Sequence, residues 1–193
     1  MYRLRLDSVT KAGLTSALAL AAGLGACAPQ RAENGTDGQP APPALSDANV
    51  ASIVNSANNG EIQEAQLVLQ RSSNPAVREF AQRMIADHTA SNQRLQAVLS
   101  DIGVAPVPMG LTQQLDNSES QTLKSLGDRT GADLDRTYID HQITVHQWLI
   151  ESIDSMLIPS ASNDKLEDYL MDLRPTIVSH LEHARRIRAS LGR

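Results

Sequence analysis

Cysteine is almost missing from this sequence: Cys27 is the only one in 193 residues. A single thiol excludes a disulfide within the chain, and no paired thiol is available for redox chemistry. Aromatic residues are equally scarce, at 3%. There is no block of Lys or Arg, and the formal charge is −5. A chain so poor in aromatics and basic clusters is not built for nucleic acid, which is set aside as a partner. No G-x-S-x-G, Gly-rich phosphate loop or paired thiol supplies a nucleophile or phosphate cradle, so an enzyme is the least supported reading. No segment alternates apolar and polar residues as a half-buried strand does.

What the sequence does contain falls into three stretches. Arg3, Arg5 and Lys11 make a basic start, and "AGLTSALALAAGLGA" follows from Ala12 to Ala26. This apolar run is short of the roughly 20 residues a spanning helix needs, and it reads as an export signal over residues 1–26. It runs into "LGAC", Leu24 to Cys27, which resembles the lipobox of bacterial lipoproteins. The resemblance implies cleavage before Cys27 and its acylation. Two or three acyl chains hold a protein stably at a membrane, because each buried CH₂ contributes about 0.8 kcal/mol. The expected partner of Cys27 is therefore a membrane that the protein does not cross. Ala28 stands where an aspartate would mark inner-membrane retention, so the expected location is the outer membrane, facing the periplasm. Removing residues 1–26 takes away three basic residues and Asp7, moving the formal charge from −5 to −7.

Residues 27–47 are rich in Pro, Gly and polar side chains and read as a flexible tether. From residue 48 to 193 the apolar period is helical. The pattern predicts long helices over Asp47 to Arg71, Pro75 to Ile102, Thr130 to Leu157 and Asp164 to Leu191. A shorter one is expected over Leu111 to Leu126. Asn74 and Pro75 are an N-cap and N1 pair, and Thr130 with Asp133 has the spacing of a capping box. Pro175 falls inside the last helix, where its missing N–H removes the bond to the Met171 carbonyl and a kink is expected. The whole is an all-α, ferritin-like four-helix bundle whose short extra helix crosses over between the second and third long ones.

Each long helix interrupts its apolar stripe with a group able to bind a metal. Glu61 follows Val54 and Ala57; His88 lies between Met84 and Ser91; His141 follows Leu134 and Tyr138. His146 follows Ile139 and Ile143, and His180 continues Leu173 and Ile177. His141 and His146, five apart, differ by about 140° around the helix axis and cannot chelate one ion as a simple pair. Counting from the turns, His141 and His180 match in height, whereas His146 sits a layer away. A lone histidine in such a stripe is more often a hydrogen-bonded core residue. The set as a whole is what points to a metal, because buried ionisable groups are costly unless paired or coordinated. Imidazole with carboxylate suits Zn, Cu, Fe or Ni. Glu64, Asp87, Tyr138, Asp140 and His183 are placed to orient those ligands from behind.

The segments "EIQEAQLVLQRSSNPAVREFAQRMIADHTASN", "DRTYIDHQITVHQ" and "LRPTIVSHLEHAR" resemble the DUF4142 family of bacterial envelope proteins, within the ferritin-like fold group. The likeness covers about Ala48 to Leu191. It carries over to Glu61, Asp87, His88, Tyr138, His146, Pro175 and His180, and leaves His141 and His183 as extras. It implies a fold but no activity. Carboxylate-bridged di-iron members of that fold group use Glu-x-x-His motifs, and neither Glu-x-x-His nor Asp-x-x-His occurs here. That absence counts against ferroxidase, oxygenase and iron-storage roles. Two expectations compete: a periplasm-facing metal-binding lipoprotein, and a non-enzymatic envelope interaction or stress-related bundle without metal. The protein partners of either are unknown.

Overall fold

The computed structural model describes residues 45–192. The expected signal segment, Cys27 and nearly all of the expected tether lie outside the described residues. The rest is helix: α1 Asp47–Arg71, α2 Pro75–Ile102, α3 Gly110–Gly127, α4 Gly131–Ser152, a π turn Ile153–Leu157, α5 Ile158–Ser160 and α6 Asp164–Ser190.

Local chemistry sets the ends of these helices. The Ser46 hydroxyl accepts from the Asn49 amide, and the Asn49 side chain bonds back to Ser46, closing α1's first turn. The Asn74 side chain accepts from the amides of Ala76 and Val77, with Pro75 at the first helical position, as expected. Gly103, at φ 69°, ends α2 in the left-handed region that favours glycine. The expected Thr130–Asp133 capping box does not form. Thr130 makes no side-chain capping bond, and Asp133 turns to Arg129 at 3.4 Å instead. The third long helix also ends earlier than the pattern predicts, passing at Ile153 into the π turn. α6 runs through Pro175 without a break. Pro175 and Met171 are both exposed, so the carbonyl left without its partner lies on the solvent side.

The core is in two parts. Toward one end Val50, Ile53, Leu95, Leu99, Leu149, Ile153, Leu166 and Leu170 pack together. Toward the other, Ala65, Val68, Val77, Phe80, Met84, Leu134, Tyr138, Ile139, Ala184 and Ile187 do so. This division gives the topology. α1 and α6 run from the first cluster to the second, and α2 and α4 run from the second to the first. α2 and α4 are therefore parallel, and α3 carries the chain back between them, from Met109 and Leu111 at the first cluster to Leu126 in the second. The helices pack α1 on α2, α2 on α6 and α6 on α4, with α3 laid against α1. This is a ferritin-like four-helix bundle.

Between the two apolar clusters the same helices bury Asn58, Glu61 and Glu64 (α1), His88 and Ser91 (α2), Gln142 and His146 (α4) and His180 (α6). A polar belt thus crosses the bundle at mid-height.

Candidate metal centre

The belt holds two groups of side chains on different faces of α4. The first is made of imidazoles. His88, His146 and His180 come from α2, α4 and α6 and are 1%, 0% and 0% exposed. Their ring centroids lie 5.4, 5.4 and 6.0 Å apart, and one nitrogen from each lies within 4.8 Å of the other two.

The hydrogen bonds around the rings decide which nitrogens are free. His146 Nδ1 is 2.9 Å from the Gln142 carbonyl oxygen, which can only accept, so Nδ1 carries the proton. His180 Nε2 donates in the same way to the Asp87 carboxylate at 2.8 Å. His88 Nδ1 faces Asn58 Oδ1 at 2.8 Å. The Asn58 amide is itself oriented by donating to Asn92 Oδ1 at 2.8 Å and to Ser91 Oγ at 3.0 Å, so here too the ring donates. The opposite nitrogens, His88 Nε2, His146 Nε2 and His180 Nδ1, are buried and without hydrogen-bond partners. Three N–H groups are thus anchored to acceptors and three lone pairs are left unpartnered within one small space. An acceptor behind each ring is the arrangement that fixes tautomer and orientation in metal-ligating histidines.

Electrostatics favour the same neutral state. Burial, reinforced by His146 and His180, holds His88 well below the usual imidazole range. Burial and the neighbouring His180 bring His146 down to about 3. Burial also lowers His180, against the opposing pull of Asp87. For Asp87, burial acts to raise the carboxyl, but the bonds from His180 and Arg83 prevail and lower it, so Asp87 is a carboxylate. Three neutral nitrogen donors are what a transition ion of the zinc or copper class accepts.

The second group is acidic. On the α1, α3 and α4 side, Glu64 accepts from Gln142 Nε2 at 3.0 Å and lies 2.9 Å from His141 Nε2. Glu61, Glu119 and Tyr138 are beside it. Burial, with Glu64 close by, raises Glu61 well above the carboxylate range and pushes Glu119 up to about 8. Burial and the two α1 carboxylates raise the Tyr138 hydroxyl.

The sequence-derived set therefore divides. His88, His146 and His180 come together. Glu61 and His141 do not join them, because their side chains leave α1 and α4 toward α3. The height count favoured His141 beside His180. Measured from residue 160, that count takes residues 161–163 as helical rise, whereas they are the turn and α6 begins only at Asp164, which brings His180 level with His146 rather than His141. Of the residues expected behind the ligands, Asp87 holds a ring, and the others do something else. Glu64 and Tyr138 belong to the acidic group, Asp140 pairs with Arg188 at 2.5 Å, and His183 packs edge-on against Phe80 with centroids 5.3 Å apart. Sequence reasoning missed Asn58, Gln142 and Glu119. The first two were visible as amides on buried stripes. Glu119 carried the same signal as Glu61, interrupting the apolar series Leu111, Leu115, Leu123 and Leu126 of α3.

The family model described as Domain of unknown function (DUF4142) matches residues 32–187. The chain belongs to this family. The DUF4142 fold is similar to two solved structures. One is a DUF305 protein from Streptomyces coelicolor, proposed to be secreted, with 12% identity and a TM-score of 0.64 over 76% of this chain and 93% of that one. The other is a DUF305 fragment from Deinococcus radiodurans, with 15% identity and a TM-score of 0.65 over 77% and 99%. Likeness at this identity shows the fold alone. No curated protein matches this DUF4142 sequence.

Proposed function

We propose that this DUF4142 protein is a non-catalytic binder of one transition-metal ion of the copper or zinc class, held by His88 Nε2, His146 Nε2 and His180 Nδ1. The observation that carries the reading is the fixed tautomer of all three rings: each N–H is anchored to an acceptor and the opposite nitrogen is buried without a partner, in a group that places one nitrogen of each ring within 4.8 Å of the other two. Tetrahedral bonds of about 2.1 Å require nitrogens about 3.4 Å apart, so capture holds the three nitrogens well inside the 4.8 Å within which they lie. The donor set contains no carboxylate, which separates it from the two-histidine, one-carboxylate sites of non-haem iron. Near-complete burial of the rings leaves no approach for an organic substrate, which favours holding an ion over acting with it.

The proposal extends to location. The "LGAC" segment supports acylation of Cys27 and attachment to the envelope, and among the described residues no helix is long and apolar enough to cross a membrane. Labelled palmitate incorporated into wild type but not into Cys27→Ser is the expected result, and equal labelling of both would refute the anchor.

The test of the metal centre is elemental analysis of the full chain carrying Cys27→Ser, after incubation with Cu, Zn, Fe and Ni and desalting. The expected result is about one equivalent of Cu or Zn that depends on His180, held by this protein and missing from the same protein carrying His180→Ala. No retained ion in either protein would leave the imidazoles as packing polar groups and favour a bundle that works through protein partners.

A further inference from the structure

The acidic group on the other face of α4 is not explained by the histidine centre. Glu61 and Glu64 are 3% and 1% exposed. With the half-buried Glu119 and His141 they line a cavity of about 60 Å³ between α1, α3 and α4. The residues around that cavity include no Lys or Arg, so His141 is the single cationic candidate facing three carboxyl groups. The oxygens of Glu64 are taken up by His141 and Gln142. Glu61 Oε2 and Glu119 Oε1 are both buried with no hydrogen-bond partner. An unpaired oxygen on a side chain this deeply buried is expensive unless something absent from the protein itself completes it.

The backbone is also cut to admit Glu119. Gly60 sits within α1, where alanine would favour the helix by about 1 kcal/mol. A Cβ there would lie 2.7 Å from Glu119 Oε2 and 3.0 Å from Glu119 Cδ. The bare backbone at Gly60 is what lets the carboxyl group of α3 reach in beside those of α1. The cavity is several-fold smaller than the roughly 300 Å³ at which organic-ligand pockets begin, but it has room for an ion and a water or two.

We propose that Glu61, Glu64, Glu119 and His141 form a second cation site, separate from the three-histidine centre, which takes a divalent ion preferring oxygen ligands. Three carboxylates and one imidazole match Mn²⁺ and Fe²⁺ better than copper. The ion completes the open oxygens of Glu61 and Glu119, displaces the protons those groups hold, and ties α3 to the bundle.

The test uses Mn²⁺ alone, added to the full chain carrying Cys27→Ser and followed by loss of the free-ion signal in electron paramagnetic resonance. The expected result is about one Mn²⁺ per chain, with affinity reduced at least tenfold in Glu119→Gln and unchanged in His180→Ala. Glu119 is partly solvent-exposed, so its conservative variant should keep the helical circular dichroism of wild type. If His180→Ala loses that signal, His88→Gln takes its place. No bound Mn²⁺ in the wild type at millimolar concentration overturns the proposal. So does equal loss in the glutamate and histidine variants, which would make the two groups a single site. Because His180→Ala removes an imidazole ligand and Glu119→Gln a carboxylate one, each variant reports on its own site, and either reading can fail without the other.

Discussion

The two halves of the polar belt solve one problem in opposite ways. On the α2, α4 and α6 side, burial has removed charge: three imidazoles are held neutral, every N–H has an acceptor, and only lone pairs remain. On the α1, α3 and α4 side, burial has gathered charge-bearing groups of one sign: three carboxyl groups share one imidazole and one amide, and two of their oxygens have no partner. The joint between them is Gln142. Its backbone carbonyl holds His146, and its side-chain amide donates to Glu64. The comparison shows that desolvation alone does not define a site. The chemistry follows from which atoms the surroundings leave open, nitrogen lone pairs on one face and carboxyl oxygens on the other.

Several experiments sharpen or break this contrast. The largest effect is expected from Glu64→Ala, which strands the Gln142 amide and His141 on a buried face. Removing one partner from such a network costs about 3 kcal/mol, read as a lower midpoint in urea denaturation. A change below about 1 kcal/mol would mean that the carboxyl groups are worth little to the fold. Next is Asp87→Ala, which takes away the acceptor behind His180 without touching a proposed ligand. Loss of such a partner lowers metal affinity about tenfold to a hundredfold, and copper or zinc titration should show this while Mn²⁺ binding stays as it was.

The pH dependence of the metal-free protein separates the halves by sign. His88, His146 and His180 have folded pKa values below the unfolded one. The unfolded chain therefore binds more protons as pH falls through about 6.5, and stability drops toward acid. Glu61 and Glu119 have folded values above the unfolded one. The folded chain then holds protons that the unfolded chain has released, and stability falls as pH rises above about 4.5, for Glu119 until about 8. Each group contributes at most about 1.4 kcal/mol per pH unit inside its window, and Glu119 less because its side chain is only half-buried. His146→Leu should flatten the acid limb and Glu119→Gln the alkaline one. Parallel slopes in both variants would erase the distinction.

The smallest effect is at Gly60. Gly60→Ala alone should shift stability by less than about 1 kcal/mol, because helix propensity and the push on Glu119 oppose each other. In a Glu119→Ala background the same change should stabilise by up to about 1 kcal/mol. A double-mutant cycle without coupling would show that Gly60 is not there for Glu119.

The helices and their order were legible in the sequence because each carries a long apolar stripe and strong end signals, Asn74–Pro75 and Gly103 among them. The parallel run of α2 and α4 followed from one crossover. What could not be read was rotation and height around the belt. His141 and His146 are five positions apart, enough to know that they diverge, but which of them meets His88 and His180 depends on where α5 stops and α6 starts, which hydropathy does not reveal. Thr130 and Asp133 had the spacing of a cap, yet Arg129 competes for the carboxylate. Glu119 interrupts the stripe of Leu115, Leu123 and Leu126 on α3, but a crossover helix outside the four-helix core gives no sign in the sequence of lying over Gly60.

The depth of the three imidazoles has a consequence for time as well as for affinity. With 1%, 0% and 0% of their surfaces exposed, no bulk water can reach the inner nitrogens while the helices stay packed. Whatever is held there leaves no faster than α2, α4 and α6 part. The rate of that local opening sets a floor under its residence time, however weak or strong the bonds to the rings.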